Sequence, residues 1–273
     1  MAEFLARREH FDVVGSTNDV VRGWLAEGTP EVCLAIADEQ TAGRGREGRT
    51  WIAPSDAALL LSLGFRPTWS DAVLVWRIAA IASIAMAEAA EAVAKLPVGT
   101  IRLKWPNDLV VETVSGVKKL GGVLGESEGL GTLDPRVVIG LGLNTDWAAA
   151  AFPPDLAGSM TSLRELASDR PVSRTGLAEA FVEALRPRIE GLRAPDYEDW
   201  FDRDEWAALQ VTTGHAIRLE QADGSVTEVH ASGVDTDTGA LRVEDPDQPG
   251  VVHPVLVGEV VHVRLAEAVT GQV

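Results

Sequence analysis

The stretch GRGREGRT at residues 43–50 limits the possible folds more than any other feature of the sequence. Its glycines match the G-x-G-x-x-G dinucleotide pattern, and it misses the nucleotide P-loop pattern only by an arginine in place of lysine. Both patterns require a strand before the glycines and a helix directly after them. Residues 32–38 predict the strand, but Pro54 prevents a continuing helix and residues 57–65 predict a second strand. The loop therefore joins two strands, which excludes both nucleotide-binding arrangements.

The loop also concentrates positive charge in an otherwise acidic chain. Its glycines let the backbone approach a ligand closely, and guanidinium groups suit bidentate contacts with phosphate or carboxylate. The whole chain has 41 acidic and 24 basic residues and a formal net charge of −17, which argues against general nucleic-acid binding. We therefore interpret the loop as a local anion site, with a solvated basic loop as the alternative. The cations concerned are Arg44, Arg46 and Arg49.

Hydrophobic periodicity predicts an α+β chain in two parts. A helix over residues 17–27 follows the N-cap candidate Ser16, and a long alanine-rich helix begins after Ser70. Apolar runs with internal glycines predict the strands of the same part. From about residue 210 the pattern changes to short alternating runs separated by Asp-Gly and Thr-Gly, which is typical of a small all-β barrel. The two predicted domains span residues 1–208 and 209–267.

Cysteine count and hydropathy indicate in which cellular compartment the protein works. The one cysteine, Cys33, cannot form an internal disulfide, which fits a reducing cytoplasm. The N-terminus lacks an apolar signal core, and no uncharged apolar run of about 18 residues predicts a membrane span. The best candidate, residues 72–90, carries Arg77 and Glu88 and is interpreted as a packed helix. The five histidines are too scattered to predict a zinc site.

Four further stretches lie in order along the predicted large domain. They are GSTN at residues 15–18, DEQTAGRGREGRTW at 38–51, KWPNDL and KKLGGVLGE beginning at 104 and 118, and GLGLN at 140–144. Together they resemble the biotin protein ligase family over nearly the whole chain. The resemblance implies an α+β fold: a class II synthetase-like catalytic domain, shared with the biotin/lipoate ligase superfamily, with a mixed or antiparallel sheet flanked by helices. It also implies a Src-homology-3-like barrel at the C-terminus.

The resemblance implies a two-step reaction. The biotin carboxylate attacks the α-phosphate of ATP, pyrophosphate leaves, and biotinyl-AMP passes its acyl group to a lysine of a biotin carboxyl carrier domain. Mg²⁺ and preorganised cations must meet the charge that develops. Because fifteen residues precede Ser16, we expect a ligase without the N-terminal helix-turn-helix domain of some members. We expect it to act as a monomer or homodimer, without nucleic-acid or membrane partners.

The matched motifs supply the expected site residues. Lys119, Arg44 and Arg46 are expected to be catalytic, with Lys118 as the alternative if the lysine assignment slips by one position. Residues expected to bind biotin are Ser16, Thr17, Asn18, Gln40, Gly43, Arg44, Arg46, Lys119, Gly121 and Gly122. Those expected to bind ATP are Arg44, Arg46, Arg49, Trp51, Lys104, Asn107, Lys119 and Asn144. Asp108 is expected to hold Mg²⁺ or to orient a lysine.

Plainer explanations exist for several of these residues and for the function. Ser16 and Thr17 are good helix N-caps, and Trp51 could belong to the core. Two rival functions are a lipoate or octanoate protein ligase, which shares the catalytic fold, and a non-catalytic biotin-binding protein. The complete arginine loop with Gln40 and Trp51 favours biotin, and the presence of Lys119 favours catalysis.

Overall fold

The computed structural model of the protein describes residues 4–114, 116–194, 201, 203–220, 224–244 and 250–256, and the backbone of residues 259–264. The strands within these ranges are β1 Arg7–Val14, β2 Cys33–Gln40, β3 Ala58–Phe65, β4 Arg102–Lys104, β5 Asp108–Thr113, β6 Gly116–Glu128, β7 Arg136–Asn144, β8 His215–Glu220, β9 Val226–Val234, β10 Leu241–Glu244, β11 Val252–Val255 and β12 Glu259–Arg264. The α-helices are α1 Thr17–Ala26, α2 Trp76–Ala94, α3 Leu163–Leu166, α4 Arg174–Leu192 and α5 Arg203–Ala208.

Strands β1 to β7 form one mixed sheet with the order β1-β2-β3-β7-β6-β5-β4. β1 and β2 are parallel and joined by α1, while the other neighbouring pairs are antiparallel. β3 is buried along its whole length and pairs with β7 from Ala58 opposite Asn144 to Phe65 opposite Val137. Between β2 and β3 the glycine–arginine loop contains only a three-residue 3₁₀ turn, Arg46–Gly48. The predicted strand–loop–strand arrangement is confirmed.

Helices cover the two faces of this sheet unequally. On one face α2 and α4 pack together over the main core, which includes Leu61, Ile81 and Phe181. On the other face α1 is the one helix among the described residues that packs against β2, β3 and β7, and it buries Val21 and Leu25. A helix is about 10 Å wide and neighbouring strands lie about 4.8 Å apart, so α1 covers only two or three strands. The part of this face over β6 and β5 is therefore left open for a ligand.

The long helix begins later than the sequence predicts. Ser70 is the predicted N-cap, but its hydroxyl bonds to the Asp71 carbonyl, and α2 starts at Trp76 after a 3₁₀ turn. Among the described residues, the stretch Ala72–Ala94 is the one long and apolar enough to cross a membrane by length and composition alone. Because 67% of that window is buried and α2 packs against α4, it is the predicted core helix.

Strand β1 is missing from the sequence prediction. Its residues, RREHFDVV, alternate between half-buried and exposed positions, and β2 is its single partner in the sheet. Edge strands of this kind carry charged side chains that discourage pairing with other chains. The same charges remove the apolar alternation by which a strand is predicted from sequence.

Strands β8 to β12 form a second, antiparallel sheet with the order β11-β10-β9-β8-β12. This is the small all-β unit predicted from residue 210 onward. Backbone hydrogen bonds join Leu103 N to Leu209 O at 2.9 Å and Val211 N to Leu103 O at 2.8 Å. In addition, Trp105 Nε1 donates to Gly239 O at 3.0 Å. The barrel is thus attached to the strand–turn–strand unit that carries the KWPND sequence.

The two parts of the molecule share one hydrophobic core. Ile217 and Leu241 of the second sheet belong to the same buried cluster as Trp105 and Ile81 of the first part. The predicted boundary between residues 208 and 209 falls at this junction. The sequence DYEDWFDRDEWAAL at residues 196–209 favours a helix. Its described part contains α5, and residues 196–200 and 202 lie outside the described residues.

Candidate active site

A cavity of about 150 Å³ lies on the open part of the sheet face, beside the N-terminus of α1 and below the glycine–arginine loop. Its lining comes from α1, β2, the loop, β3, the KWPND turn, β6 and β7. The lining residues are Ser16, Thr17, Asn18, Gln40, Arg44, Gly45, Arg46, Arg49, Thr50, Trp51, Leu61, Asn107, Asp108, Lys119, Gly122, Val123, Leu124, Gly140, Leu141 and Gly142. All but four of the residues expected to bind biotin, ATP or Mg²⁺ therefore meet in one place.

One side of the cavity, which we call the helix wall, consists of Ser16, Thr17, Asn18 and Gln40. The backbone N and Oγ1 of Thr17 donate to Gln40 Oε1 at 2.7 and 2.9 Å. Ser62 Oγ lies 2.7 Å from Thr17 Oγ1 and 2.5 Å from Asn18 Oδ1. Ser16 is the N-cap residue of α1, yet its side chain makes no capping hydrogen bond. Helix capping therefore does not explain why these polar side chains are buried here.

Two glycines of β7 provide the space that this wall and the tryptophan require. A Cβ at Gly140 would overlap Asn18 Oδ1, and a Cβ at Gly142 would lie 2.6 Å from Trp51 Cε2. Trp51 belongs to the cavity lining rather than to the main core, and among the described atoms its buried Nε1 has no hydrogen-bond partner. The glycines therefore allow Asn18 and Trp51 to approach the backbone of β7 directly.

The opposite side, which we call the strand wall, consists of Asn107, Asp108, Lys119 and Gly122. Lys119 Nζ lies 2.6 Å from Asp108 Oδ1, with the two side chains 43% and 17% exposed. A Cβ at Gly122 would lie 3.6 Å from Lys119 Nζ. Because Gly122 has no side chain, the ammonium group of Lys119 lies directly beside the backbone of β6. Asn107 Nδ2 donates to Val123 O at 2.8 Å, which ties the turn to β6. The strand wall thus presents one anchored cation to the cavity.

The two adjacent lysines have different neighbours. Lys118 Nζ lies 3.4 Å from Glu165 Oε1 and does not line the cavity. Lys119 lies next to Asp108, as the interpretation of Asp108 as a lysine-orienting residue expects. Consecutive residues of a strand point to opposite faces, and only Lys119 points to the cavity.

The glycine–arginine loop is a narrow hairpin that covers the cavity. Arg44 and Thr50 form an antiparallel bridge, and Gly45 N donates to Arg49 O at 2.7 Å. The 3₁₀ turn Arg46–Gly48 closes the hairpin. Arg46 and Arg49 both belong to the cavity lining, which agrees with the predicted anion site.

Arg44 makes a closer carboxylate contact than Arg49, whose Nη2 lies 3.7 Å from Glu47 Oε2. Its Nη1 and Nη2 donate to Asp19 Oδ2 and Oδ1 at 2.8 and 2.7 Å, a bidentate contact. Hydrogen bonding to Arg44 is the main cause that lowers the pKa of Asp19 below its usual 3.8, and the same hydrogen bonds raise the pKa of Arg44. The residue predicted as an anion clamp already has a carboxylate partner within the protein.

Comparison with known proteins identifies this arrangement of motifs. The sequence model of the Biotin/lipoate A/B protein ligase family matches residues 10–144. The biotin–[acetyl-CoA-carboxylase] ligase of Mycobacterium tuberculosis is 32% identical over 252 residues, which are 92% of this chain and 86% of that protein. This chain belongs to the biotin protein ligase family.

Two further relatives agree with this assignment. The bifunctional ligase/repressor BirA of Escherichia coli is 30% identical over 249 residues, 91% of this chain and 71% of that protein. The biotin protein ligase of Aquifex aeolicus, solved in complex with biotin and ATP, has the same fold with a TM-score of 0.73 at 20% identity, covering 93% of this chain and 97% of that one. The predicted family, α+β fold and ligase class are thereby confirmed.

Two of the predicted binding glycines have a packing role in this biotin protein ligase. A Cβ at Gly121 would lie 2.6 Å from Gly142 O, between paired strands, and a Cβ at Gly43 would lie 2.5 Å from Trp51 O, where the hairpin begins. Both positions require glycine because a backbone carbonyl oxygen of the protein itself, that of Gly142 or of Trp51, occupies the space where a Cβ would lie. The predicted site residues that do not line the cavity are Gly43, Lys104, Gly121 and Asn144.

The other two residues outside the lining lie at strand ends. Asn144 is 4% exposed, and its Nδ2 donates to Thr161 O at 2.9 Å, so it secures the segment after β7. Lys104 ends β4, which lies at the edge of the sheet opposite to β1, and its Cα is opposite that of Asp108 in the antiparallel register of β4 and β5. The KWPND and GLGLN motifs thus contribute Asn107, Asp108 and two glycines to the ligase cavity rather than all of their polar residues.

Sequence reasoning missed several residues of this ligase site. Ser62 is fully buried, and its signal was a single polar residue inside the apolar run ALLLSLGF. Gly140 and Gly142 were recognised as unusual within a strand but were not assigned to the site. Asp19 and Glu126 gave no sequence signal, because their role depends on pairing with residues distant in the chain.

Proposed function

We propose that this ligase joins biotin to one lysine of a biotin carboxyl carrier domain and converts ATP to AMP and pyrophosphate. One observation carries the proposal: a single cavity has a neutral hydrogen-bonding wall on one side, an anchored lysine on the other, and three arginines of the loop in its lining. Biotin has a neutral ureido ring at one end and a carboxylate at the other. The two walls therefore match the two ends of the substrate.

The first step forms biotinyl-AMP. A carboxylate oxygen of biotin attacks the α-phosphorus of ATP, and the bond from that phosphorus to the bridging oxygen of pyrophosphate breaks. Negative charge increases on the α-phosphoryl oxygens and on the leaving group, so fixed cations stabilise the transition state. Lys119, Arg46 and Arg49 are the cations we assign to this charge.

The ureido ring is assigned to the helix wall. The Gln40 side-chain oxygen is already occupied by Thr17, which fixes the orientation of the amide and leaves its NH₂ group as a donor. Ser16, whose hydroxyl is not used for capping, supplies a further hydrogen-bonding group. Neutral donors and acceptors bind a neutral ring without placing a charge in a buried site.

Lys119 is assigned to the biotin carboxylate and the α-phosphate. An ammonium group has three donors, of which Asp108 uses one, so two can turn to the substrate. Two unit charges about 4 Å apart interact by roughly 4 kcal/mol at an effective dielectric of 20. A single well-placed lysine can therefore both bind the substrate and lower the barrier, while Asp108 holds it in position.

Mg²⁺ fits this site only as an ion carried mainly by ATP. Among the described residues no group of three or more His, Cys, Asp or Glu could hold a metal. Mg²⁺ typically takes one or two protein carboxylates together with phosphate oxygens and water, and Asp108 keeps one carboxylate oxygen beyond its contact with Lys119. We assign Asp108 as the protein ligand. When bound, Mg²⁺ neutralises charge on the leaving pyrophosphate.

The second step transfers the acyl group to the carrier. The unprotonated ε-amine of the carrier lysine attacks the acyl carbon, the bond to AMP breaks, and an amide forms as the amine releases its proton. The loop hairpin with Trp51 covers the cavity, which suits a reactive adenylate that must be kept from water. The net charge of −17 supports a protein partner rather than nucleic acid, and the free, buried Cys33 supports a cytoplasmic location.

The proposal is tested by ATP–pyrophosphate exchange with biotin, lipoate and octanoate measured in parallel. Exchange with biotin alone is expected, followed by attachment of biotin to a purified biotin carboxyl carrier domain, detected by mass spectrometry. Exchange with lipoate or octanoate in place of biotin would show that the protein is a lipoate or octanoate ligase instead. Binding of biotin without exchange would contradict the catalytic assignment.

A further inference from the structure

Ser62 is a fully buried residue of β3 that contacts the helix wall from inside the protein. Its Oγ lies 2.5 Å from Asn18 Oδ1 and 2.7 Å from Thr17 Oγ1. Thr17 and Asn18 belong to the cavity lining, whereas Ser62 does not. The hydroxyl of Ser62 therefore influences a bound ligand only through these two neighbours.

The contacts of Ser62 belong to a chain of four oxygens that ends in two oriented amides. Asn18 Nδ2 donates to the Glu126 carboxylate at 2.6 Å, so the oxygen of the Asn18 amide faces Ser62. At the other end, the backbone N–H of Thr17 donates to Gln40 Oε1 at 2.7 Å, which fixes the second amide. Each end of the chain is therefore an amide oxygen, which accepts hydrogen bonds and donates none.

This chain has more contacts than protons. Its oxygens, in order, are Asn18 Oδ1, Ser62 Oγ, Thr17 Oγ1 and Gln40 Oε1, with separations of 2.5, 2.7 and 2.9 Å. The two hydroxyls supply one proton each, so one of the three contacts is without a proton at any moment. The cost is least at the longest contact, because the backbone N–H of Thr17 also donates to Gln40 Oε1. Ser62 then donates to Asn18, and Thr17 donates to Ser62.

The proton count determines what Thr17 can offer to a ligand. With its proton directed to Ser62, the Thr17 hydroxyl presents a lone pair to the cavity and acts as an acceptor. If Thr17 donated to the ligand instead, its 2.7 Å contact with Ser62 would also lose its proton, and two acceptor oxygens would face each other without a donor. A ring N–H is therefore favoured opposite Thr17, and a ring oxygen is disfavoured.

We propose that Ser62 is a positioning residue that keeps the Thr17 proton within the protein and thereby makes the helix wall select a head group that donates an N–H. The inference rests on the proposed function and extends it, from binding of the ureido ring to the choice between this ring and rings of the same shape. The same selection disfavours the rival substrates, because the head groups of lipoate and octanoate have no N–H.

The test uses biotin and two analogues, in each of which oxygen replaces one of the two ring N–H groups. Dissociation constants are measured by isothermal titration calorimetry for the wild type, Ser62→Ala, Ser62→Cys and Thr17→Val. The matched control is Ser83→Ala, because Ser83 Oγ donates to Ala79 O at 2.9 Å within α2, and neither residue lines the cavity. The constant for each analogue is divided by that for biotin, which separates selection from a general weakening of the site.

The wild type and Ser83→Ala should bind one of the two analogues at least about tenfold more weakly than biotin. In Ser62→Ala that ratio should fall at least about threefold, because the Thr17 proton is free to meet the ring oxygen. Ser62→Cys should give an intermediate ratio, since a thiol is a weak donor and a weak acceptor. In Thr17→Val the ratio should approach one, because no hydroxyl faces the ring.

Three results would overturn the proposal. A wild-type ratio in Ser62→Ala, or in Ser62→Cys where the alanine variant does not fold, would show that Ser62 does not direct the Thr17 proton. A wild-type ratio in Thr17→Val would show that the ring N–H does not meet Thr17. Equal binding of biotin and both analogues by the wild type would show that the wall does not select for N–H. Absence of ATP–pyrophosphate exchange would contradict the proposed catalysis instead, and the binding ratios, which need no ATP, would still decide the role of Ser62.

Discussion

The two walls of the cavity are built on opposite principles. The polar atoms of the helix wall bind one another: Thr17 holds Gln40, and Ser62 joins Thr17 to Asn18. The strand wall relies on one ion pair, Lys119 with Asp108, and the lysine side chain is 43% exposed. One wall is neutral, buried and ordered before a ligand arrives. The other is charged and accessible.

This difference indicates how the ligase divides binding from chemistry. Preformed hydrogen bonds lower the entropy cost of binding a neutral ring. An exposed lysine side chain can change its position as the carboxylate becomes an acyl phosphate. Its attraction to the substrate's negative charge becomes stronger when the loop excludes water. Changes to the helix wall should therefore appear mainly in biotin affinity, and changes to the strand wall mainly in turnover.

The largest effect is expected at the strand wall, from Lys119→Ala. Loss of the only lysine in the described lining should reduce biotin-dependent ATP–pyrophosphate exchange by about two or more orders of magnitude. Lys118→Ala is the matched control, because the neighbouring side chain pairs with Glu165 outside the cavity. Equal losses in the two variants would show that the lysine charge acts through the strand rather than at the substrate.

The second-largest effect is expected on KM for biotin, and it should distinguish the role of the helix wall from that of the strand wall. A methyl group at Gly140 would displace Asn18, so Gly140→Ala should raise KM for biotin at least about tenfold through misplacement of the ordered wall. Gly125→Ala serves as the control, since its Cβ would meet only Ile139 Cδ1, at an ordinary 3.5 Å. A fall in kcat with unchanged KM in Gly140→Ala would contradict the division between the walls.

A smaller effect is expected where the barrel supports the strand wall. Trp105→Phe removes the hydrogen bond to Gly239 O, which should cost about 1 kcal/mol in the free energy of unfolding and raise KM for ATP several-fold. Trp147→Phe also removes one indole bond to a backbone carbonyl, that of Ala151, away from the barrel. Comparable KM values in the two variants would argue that the barrel does not support the KWPND turn.

The smallest effect on activity is expected under α1 at the end of β2 distant from the cavity, at Cys33, which is buried with Val21 and Leu25. Burial raises the pKa of this thiol to about 11, from a usual value of 9.0. As the pH rises, the thiol therefore loses its proton in the unfolded state before it does so in the folded state. The free energy of unfolding should consequently fall as the pH rises from 9 to 11, by up to about 3 kcal/mol. In Cys33→Ala this part of the decrease should be absent, while exchange activity at neutral pH stays near that of the wild type. Denaturant titrations of both proteins at pH 8 and 10.5 measure the difference.

Local sequence signals were sufficient for most of the fold and for the strand wall. Pro54 and the apolar run that follows it excluded a helix after the glycine–arginine loop, and the KWPND and KKLGG motifs predicted Asn107, Asp108 and Lys119 as site residues. The sequence left Lys118 open as an alternative to Lys119, and only the structure shows that the two side chains have different neighbours.

Sequence signals were insufficient where a residue's place depends on a partner that is distant in the chain. β1 is polar because it is an edge strand, and its place in the sheet depends on pairing with β2. The contact of Arg44 with Asp19 on another element likewise gave no local signal. The Ser70 prediction failed for a local reason, because its hydroxyl bonds to the adjacent Asp71 carbonyl and α2 starts only at Trp76. Charge alone cannot distinguish an arginine that binds a ligand from one that binds a neighbouring carboxylate.

The hydrogen bond from Trp105 to Gly239 has a consequence for the timing of activity during biosynthesis. The two residues are 134 positions apart, and ribosomes add about 5–20 residues per second. The KWPND turn is therefore synthesised roughly 7–27 s before its acceptor. During that interval, the nascent chain carries the arginine hairpin and Lys119 without the support that the barrel gives to Asn107 and Asp108. If the barrel is needed for activity, as the Trp105→Phe prediction tests, a chain in which the barrel has not yet folded would not produce a reactive acyl adenylate.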